Sequence, residues 1–319
     1  MPLISPSDYQ PRGWHRSTYW STIYPSLFRK VVGVLYERER IELPDGDFVD
    51  VDWSRKKSRK LVIVLHGLEG SADRPYIRGI IKVMNEAGWD GVGLNFRGCS
   101  GSPNRLARGY HSGETGDLGF LVEWVIDSGK YDEITIVGFS LGGNVTLKYL
   151  GEQGEELHPM IKRAVAISTP VHLASCSIEL QKLKNWPYLN SFLKSLKQKI
   201  RDKSDILKGV IDLEKAYRTK NFYQYDDLVT APLHGFDSAM DYYTKSSSLQ
   251  YIPDIKIPTL VINAKNDSFL SEDSYPRQLA QQSDLFHLEI PDYGGHVGFA
   301  SRHPEQLYWT DTRVEWFLN

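Results

Sequence analysis

Ile134-Thr-Ile-Val-Gly-Phe-Ser-Leu-Gly-Gly-Asn144 is the stretch that decides the fold of this chain. Ile134 to Val137 is a β-branched, largely apolar run, the composition of a buried strand. Leu141 to Leu150 reads as a helix. Between them lies Gly138-Phe-Ser-Leu-Gly142, a G-x-S-x-G pattern. Five residues with three fixed recur by chance, so the pattern means little alone. A strand before it and a helix after it are the context that gives it meaning. Such an elbow holds its serine on a tight, strained turn, and the neighbours must be small; Gly138 and Gly142 are, and Gly143 allows further close packing. The turn places the serine oxygen at the carboxyl end of the strands, where open α/β sheets bind ligands. Ser140 is the expected nucleophile.

Outward from this turn, strands and helices alternate, which predicts a mainly parallel sheet flanked by helices. Upstream, Arg38 to Leu43 and Phe48 to Trp53 flank Pro44-Asp-Gly-Asp47 and read as a hairpin. Leu61-Val-Ile-Val-Leu65 is a continuous apolar run, as in a strand buried on both faces. Helices are expected over 74–87 and 116–128, and strands over 91–96, 133–139 and 164–168. The alternation stops from Cys176 to Ser248, where Tyr188, Leu189, Phe192, Leu193, Leu196 and Ile200 have helical spacing. It resumes with strands over 259–263 and 286–290, a helix over 274–281, and a last helix after Pro304, a residue suited to a first helical turn. The expectation is an eight-stranded α/β core formed by residues 1–175 and 249–319, interrupted by a helical cap over 176–248.

A serine hydroxyl needs a base to take its proton as it attacks, and the base needs an acid to orient it. In elbow-type enzymes these follow in the order Ser, Asp or Glu, His. Asp267, just past the strand ending at Asn263, is the expected acid, with Glu272 and Asp273 as fallbacks. His296, in Tyr293-Gly-Gly-His-Val-Gly298, is the expected base, since an ordinary imidazole titrates near neutrality. His287 and His303 are nearby alternatives. The oxyanion formed on attack needs fixed donors. The N–H of Leu141 and that of Leu68, in His66-Gly-Leu-Glu-Gly70, are the expected pair. His66 reads as a loop-shaping residue. Arg97, His111 and Asp117 are expected to be structural, Arg97 bridging loops and the other two bonding backbone. Cys99 is not needed as a nucleophile.

A net charge of −2 argues against a dedicated nucleic-acid binder. Two cysteines form no disulfide framework, which favours a reducing, cytoplasmic setting. No stretch approaches the ~18 apolar residues of a membrane span. Met1 to Gln10 does not read as a secretory leader. Trp14 to Phe28 is rich in aromatics; membrane-surface contact is one reading, and packing onto the domain is the favoured one. No His, Cys or Asp cluster has metal-ligand spacing, so no metal or other cofactor is expected.

The chain resembles the YheT-like branch of the α/β-hydrolases. The resemblance rests on His66-Gly-Leu-Glu-Gly-Ser71, Asn95-Phe-Arg-Gly-Cys-Ser-Gly101, Tyr110-His-Ser-Gly113, Gly138 to Asn144, Asp226 to Phe236 with Tyr242-Tyr243, and Gly294-Gly-His-Val-Gly-Phe299. It runs from about Tyr9 to the C-terminus. It implies an α/β-hydrolase fold and chemistry on medium-chain fatty acyl esters. One departure is visible: Tyr19-Trp-Ser-Thr22 stands where the family usually has His-x-Gln-Thr before an aromatic–Pro pair.

These readings converge on a serine carboxylesterase for short- to medium-chain acyl esters. A lipase or phospholipase, or an alcohol O-acyltransferase, would use the same site. A non-catalytic binding protein on this fold would usually lack one of the three residues, and a dehalogenase would carry an acid at the elbow. From Ile178 to Lys220 there are eleven Lys/Arg against five Asp/Glu. That excess fits either attraction of anionic acyl compounds or lipid surfaces, or a solvated helix face, which is favoured.

Overall fold

The computed structural model describes residues 3–301 and 307–319. Nine strands form one sheet: β1 (Leu3–Ile4), β2 (Glu37–Glu42), β3 (Phe48–Ser54), β4 (Lys60–Leu65), β5 (Asp90–Asn95), β6 (Glu133–Phe139), β7 (Ile161–Ile167), β8 (Thr259–Ile262) and β9 (Phe286–Glu289). Their order is β1-β9-β8-β7-β6-β4-β5-β3-β2. The strands from β1 to β5 in that order are parallel, and β3 and β2 add an antiparallel edge. The eight expected strands are all present. The ninth, β1, is a two-residue edge pairing too short to carry a periodic signal.

Successive side chains of a strand point to opposite faces, and this divides the core in two. Leu61, Ile63 and Leu65 of β4 pack on one face with α3 (Gly116–Asp127) and α4 (Leu141–Gln153); Val62 and Val64 pack on the other with α2 (Pro75–Glu86) and α13 (Trp309–Leu318). Both faces being covered explains why β4 is apolar from Leu61 to Leu65. The sheet order reverses at β4, with β5 on one side and β6 on the other. Leu65 at the end of β4 pairs with Gly138 at the end of β6. The loop after β4 and the turn bearing Ser140 are thereby forced to be neighbours.

Between β7 and β8 the chain forms α5 (Leu173–Gln181), α6 (Trp186–Asp202), α7 (Ser204–Leu207), α8 (Leu213–Arg218), α9 (Phe222–Tyr225), α10 (Ala231–His234) and α11 (Ala239–Ser246). Leu189, Leu193 and Ile200 of α6 turn into a separate apolar cluster with Leu207, Ala216, Phe222, Tyr225 and Val229. Near the C-terminal side, Glu272–Ser274 is a single 3-10 turn and the helix α12 spans only Arg277–Gln282. Pro276 divides them, because the residue before a proline is pushed out of helical backbone. The expected helix start at Pro304, and His303, lie outside the described residues.

Helix α1 (Thr18–Phe28) corrects an expectation. It buries Ser21 and Pro25, while Trp14 of the preceding turn and Tyr19, Trp20 and Phe28 of the helix stay exposed. Tyr24 is half-buried, but the other aromatics of this segment do not pack inward as expected. Among the described residues no helix is long and apolar enough to cross a membrane.

Candidate active site

The elbow is built by close backbone approach. Ser140 has φ 52° and ψ −117°, a strained conformation for a side-chain-bearing residue, held by its N–H donating to Ile167 O at 2.8 Å. A Cβ at position 138 would lie 2.3 Å from Gly142 O, and one at 142 would lie 2.6 Å from His66 O. The glycines of the pattern are therefore required by packing between β6, α4 and the loop after β4.

Ser140, His296 and Asp267 come together. His296 Nε2 lies 2.9 Å from Ser140 Oγ, and His296 Nδ1 lies 2.8 Å from Asp267 Oδ2. Asp267 is buried, and its Oδ1 accepts the Phe269 N–H at 2.9 Å. The Phe269 ring stacks on the imidazole, with centroids 4.2 Å apart. A carboxylate fixed on Nδ1 keeps that nitrogen protonated and leaves Nε2 able to accept a proton from Ser140. Glu272 and Asp273 lie on the 3-10 turn, where Glu272 pairs with Arg277 and Asp273 faces His172. His287, on β9, packs beside Phe317 of α13.

Several residues that the sequence did not single out hold the His296 loop. Thr22 Oγ1 accepts the His296 N–H at 3.0 Å, Asn266 Oδ1 accepts that of Gly295 at 2.9 Å, and Ser168 Oγ accepts that of Val297 at 2.9 Å. Thr22 belongs to the segment where the family pattern departs. That departure was the available signal, since it retains the threonine while changing its neighbours.

The expected oxyanion donors lie on the loop after β4 and at the start of α4. Gly67 lies against Ser140: a Cβ there would stand 3.1 Å from Ser140 Cβ. Leu68 follows it and lines the same cavity as Ser140 and His296. Leu141 opens α4, where a backbone N–H has no helical partner and the helix dipole favours negative charge. His66 shapes this loop: Nδ1 lies 2.7 Å from Gly67 O, and Nε2 accepts the Phe96 N–H at 3.2 Å. Burial lowers its pKa to about 4, so it stays neutral.

Glu69, at φ 54°, fastens the loop to the cap. Its buried carboxylate accepts from Lys199 Nζ at 2.7 Å and from Ser195 Oγ, both on α6, and from Tyr110 OH at 2.7 Å. Lys199 Nζ also lies 3.0 Å from Cys99 Sγ. Burial pushes that thiol up, away from a reactive thiolate. Lys203 is buried too, donating to Asn104 Oδ1 at 2.9 Å and to backbone carbonyls. Part of the positive charge counted in the cap therefore faces inward.

Arg97, on the loop after β5, joins the first turn of α3 through Asp117, at 2.7 Å, to the β2–β3 turn through Asp45, at 2.6 Å. Asp117 thus bonds Arg97 rather than backbone, which corrects its expected partner. His111 Nδ1 accepts the Gly113 N–H at 3.1 Å. The fold also brings His111, Glu114 and His234 within 4.8 Å of one another, a grouping that sequence spacing hid. Burial lowers both imidazoles to about 3, and Arg108 already pairs with Glu114 at 2.5 Å. A cation bound there would meet that guanidinium.

Ser140 and His296 open onto a cavity of about 420 Å³, lined by Thr22, Ile23 and Leu27 of α1, by Tyr188 and Phe192 of α6, and by Phe269. A second cavity of about 410 Å³ lies beneath the cap, with Leu196, Ile200, Phe222 and Val229 among its walls. Leu68 lines both. Each is of the size that takes a small organic ligand.

Comparison with known proteins agrees with this architecture. A family model described as alpha/beta hydrolase fold matches residues 60–301. YheT of Escherichia coli (strain K12), named as a candidate esterase, is 34% identical, covering 97% of this chain and 92% of its own length. Phospholipase ABHD3 of Mus musculus is 28% identical, covering 99% of this chain and 79% of its own. Among solved structures, the Pyrococcus furiosus esterase Pf2001 superposes with a TM-score of 0.60 at 20% identity, over 91% of this chain and 97% of that one, a likeness of fold. The chain belongs to the α/β-hydrolase family, in its YheT-like branch.

Proposed function

We propose that this protein is a serine carboxylesterase acting on short- to medium-chain acyl esters. The observation that carries the reading is the continuous hydrogen-bond chain Ser140–His296–Asp267 on the wall of a largely apolar cavity. The candidate-esterase name of YheT supports the reaction class.

In this reading Ser140 Oγ attacks the ester carbonyl carbon while its proton passes to His296 Nε2. The N–H groups of Leu68 and Leu141 stabilise the oxyanion. The C–O bond to the alcohol then breaks, and His296 returns the proton to the departing oxygen, leaving an acyl-Ser140 ester. Water repeats the attack with His296 again as base, releasing the acid and restoring Ser140. Asp267 orients the imidazole and stabilises its positive charge.

A phospholipase or lipase reading shares these steps and is favoured by one comparison, the relative named as a phospholipase. Hydrolysis of p-nitrophenyl esters from acetate to palmitate, with Ser140→Ala alongside, tests the main reading. A maximum at short or medium chain length, abolished in the variant, is expected. Activity that rises only when substrate forms micelles would shift the conclusion to a lipase. Equal activity in Ser140→Ala would overturn both.

A further inference from the structure

Seven of the fifteen large apolar side chains that are exposed among the described residues fall between positions 14 and 35. They include Trp20 at 48%, Leu27 at 66%, Phe28 at 58% and Leu35 at 86% exposure. Helix α1 reverses the pattern of an ordinary surface helix. Its Ser21 and Pro25 face the protein, while Tyr19, Trp20 and Phe28 face outward. Ring contacts join them into one patch: Trp14 with Trp20 and Tyr24, Tyr19 with Trp20, and Tyr24 with Phe28. The patch reaches the cap through Tyr19 and Tyr188; Trp186, two residues before Tyr188 on α6, is also exposed, at 58%. A contiguous apolar face of this kind marks an interaction surface.

Three observations identify what it meets. From Tyr9 to Tyr36 there are no Asp or Glu and four Lys/Arg, of which Arg29 is buried against Asp311 and the other three are exposed, in a chain whose net charge is −2. The exposed groups are mostly Trp, Tyr, Phe and Leu, with Arg12, Arg16 and Lys30 around them, which is the composition of an interfacial helix. And the patch borders the cavity that holds Ser140: Ile23 and Leu27 of α1 and Pro187 and Tyr188 of α6 line it. We propose that this face docks on the surface of an anionic lipid bilayer, turning the mouth of the Ser140 cavity toward the headgroups. The benefit of that orientation rests on the esterase reading, whereas the docking does not. A bilayer supplies what each part of the face lacks: apolar depth for the aromatic rings and negative charge for the cations.

The test is co-sedimentation of the full chain with vesicles of phosphatidylcholine plus phosphatidylglycerol, and with phosphatidylcholine alone. Expected is partition to the mixed vesicles that weakens with added salt. The double variant Trp20→Ser/Phe28→Ser, altered only at exposed positions, should lower partition by about tenfold or more. Arg12→Gln should lower it about fivefold on mixed vesicles alone. Hydrolysis of a water-soluble ester by the double variant should be unchanged, so that loss of docking and loss of the esterase reading give different results. Recovery of the wild type in the supernatant with both vesicle types would overturn the proposal. So would partition that ignores the double substitution, or a dimer in solution that the same substitution dissolves, since the patch would then cover a second copy.

Discussion

Replacing Asp267 with asparagine would keep the shape of the site and reverse the proton on its base. Asp267 Oδ1 accepts the Phe269 N–H at 2.9 Å, so an asparagine there is constrained to place its carbonyl oxygen at that position. Its NH2 group then points along the 2.8 Å contact to His296 Nδ1, which must become an acceptor. The imidazole proton moves to Nε2, facing Ser140 Oγ at 2.9 Å, and the base can no longer take the serine's proton. Loss of the correct tautomer and of the charge that stabilises the imidazolium corresponds to a fall in kcat of about 10³–10⁴, or roughly 4–5.5 kcal/mol of barrier. The assay is kcat and KM on p-nitrophenyl butyrate, with thermal unfolding alongside. Folding should change little, because the hydrogen-bond geometry is retained. A variant that keeps more than a tenth of wild-type kcat would refute the assignment of Asp267 and turn attention to Glu272 and Asp273.

Two further predictions concern residues outside the proton relay. Thr22→Val removes the acceptor of the His296 N–H and should cost about 1–3 kcal/mol in stability or in loop order, read as a lower Tm and a kcat loss larger than any change in KM; an unchanged kcat would mean that the loop is held by Asn266 and Ser168 alone. Asp226, which accepts from Thr230 Oγ1 at 2.6 Å and Tyr243 OH at 2.7 Å, has its carboxyl pushed up to about 6 by burial. A raised carboxyl pKa means that the folded state binds the proton more tightly. The contribution is full below about pH 4 and is lost as pH rises through about 6. Asp226→Asn should therefore gain stability relative to wild type over that interval, by up to about 3 kcal/mol, measured by urea unfolding at several pH values. A difference that does not vary with pH would show that Asp226 is ionised throughout.

The parts of this molecule that could be read from the sequence are those in which backbone and composition agree. The elbow was legible because an apolar strand, three glycines and a helix cannot be arranged around Ser140 in many ways. The order of Asp267 and His296 followed from the end of each strand. What escaped were contacts between distant segments. The threonine retained in Tyr19-Trp-Ser-Thr22 drew notice to the segment, but it does not say that its hydroxyl reaches a residue 274 positions away. Counting lysines cannot distinguish Lys199 and Lys203, which turn inward, from those that face solvent. The direction of the α1 aromatics escaped for a different reason. Reading apolar residues as inward-facing is sound for a helix that packs on a core, and α1 packs instead through Ser21 and Pro25.

The attachment of Glu69 to α6 bears on how this enzyme could be taken apart and rebuilt. Ser195 and Lys199 stand one helical turn apart and grip a carboxylate located one residue from Leu68. Transplanting the segment 176–248 from a relative without a matching pair would strand a buried charge beside the loop that carries Leu68. Leaving such a charge without its partner costs about 3–5 kcal/mol. The interchangeable unit is therefore larger than the cap: Glu69 and Tyr110 must travel with α6, and a chimera that respects only the helical boundaries should fold with its reaction centre out of register.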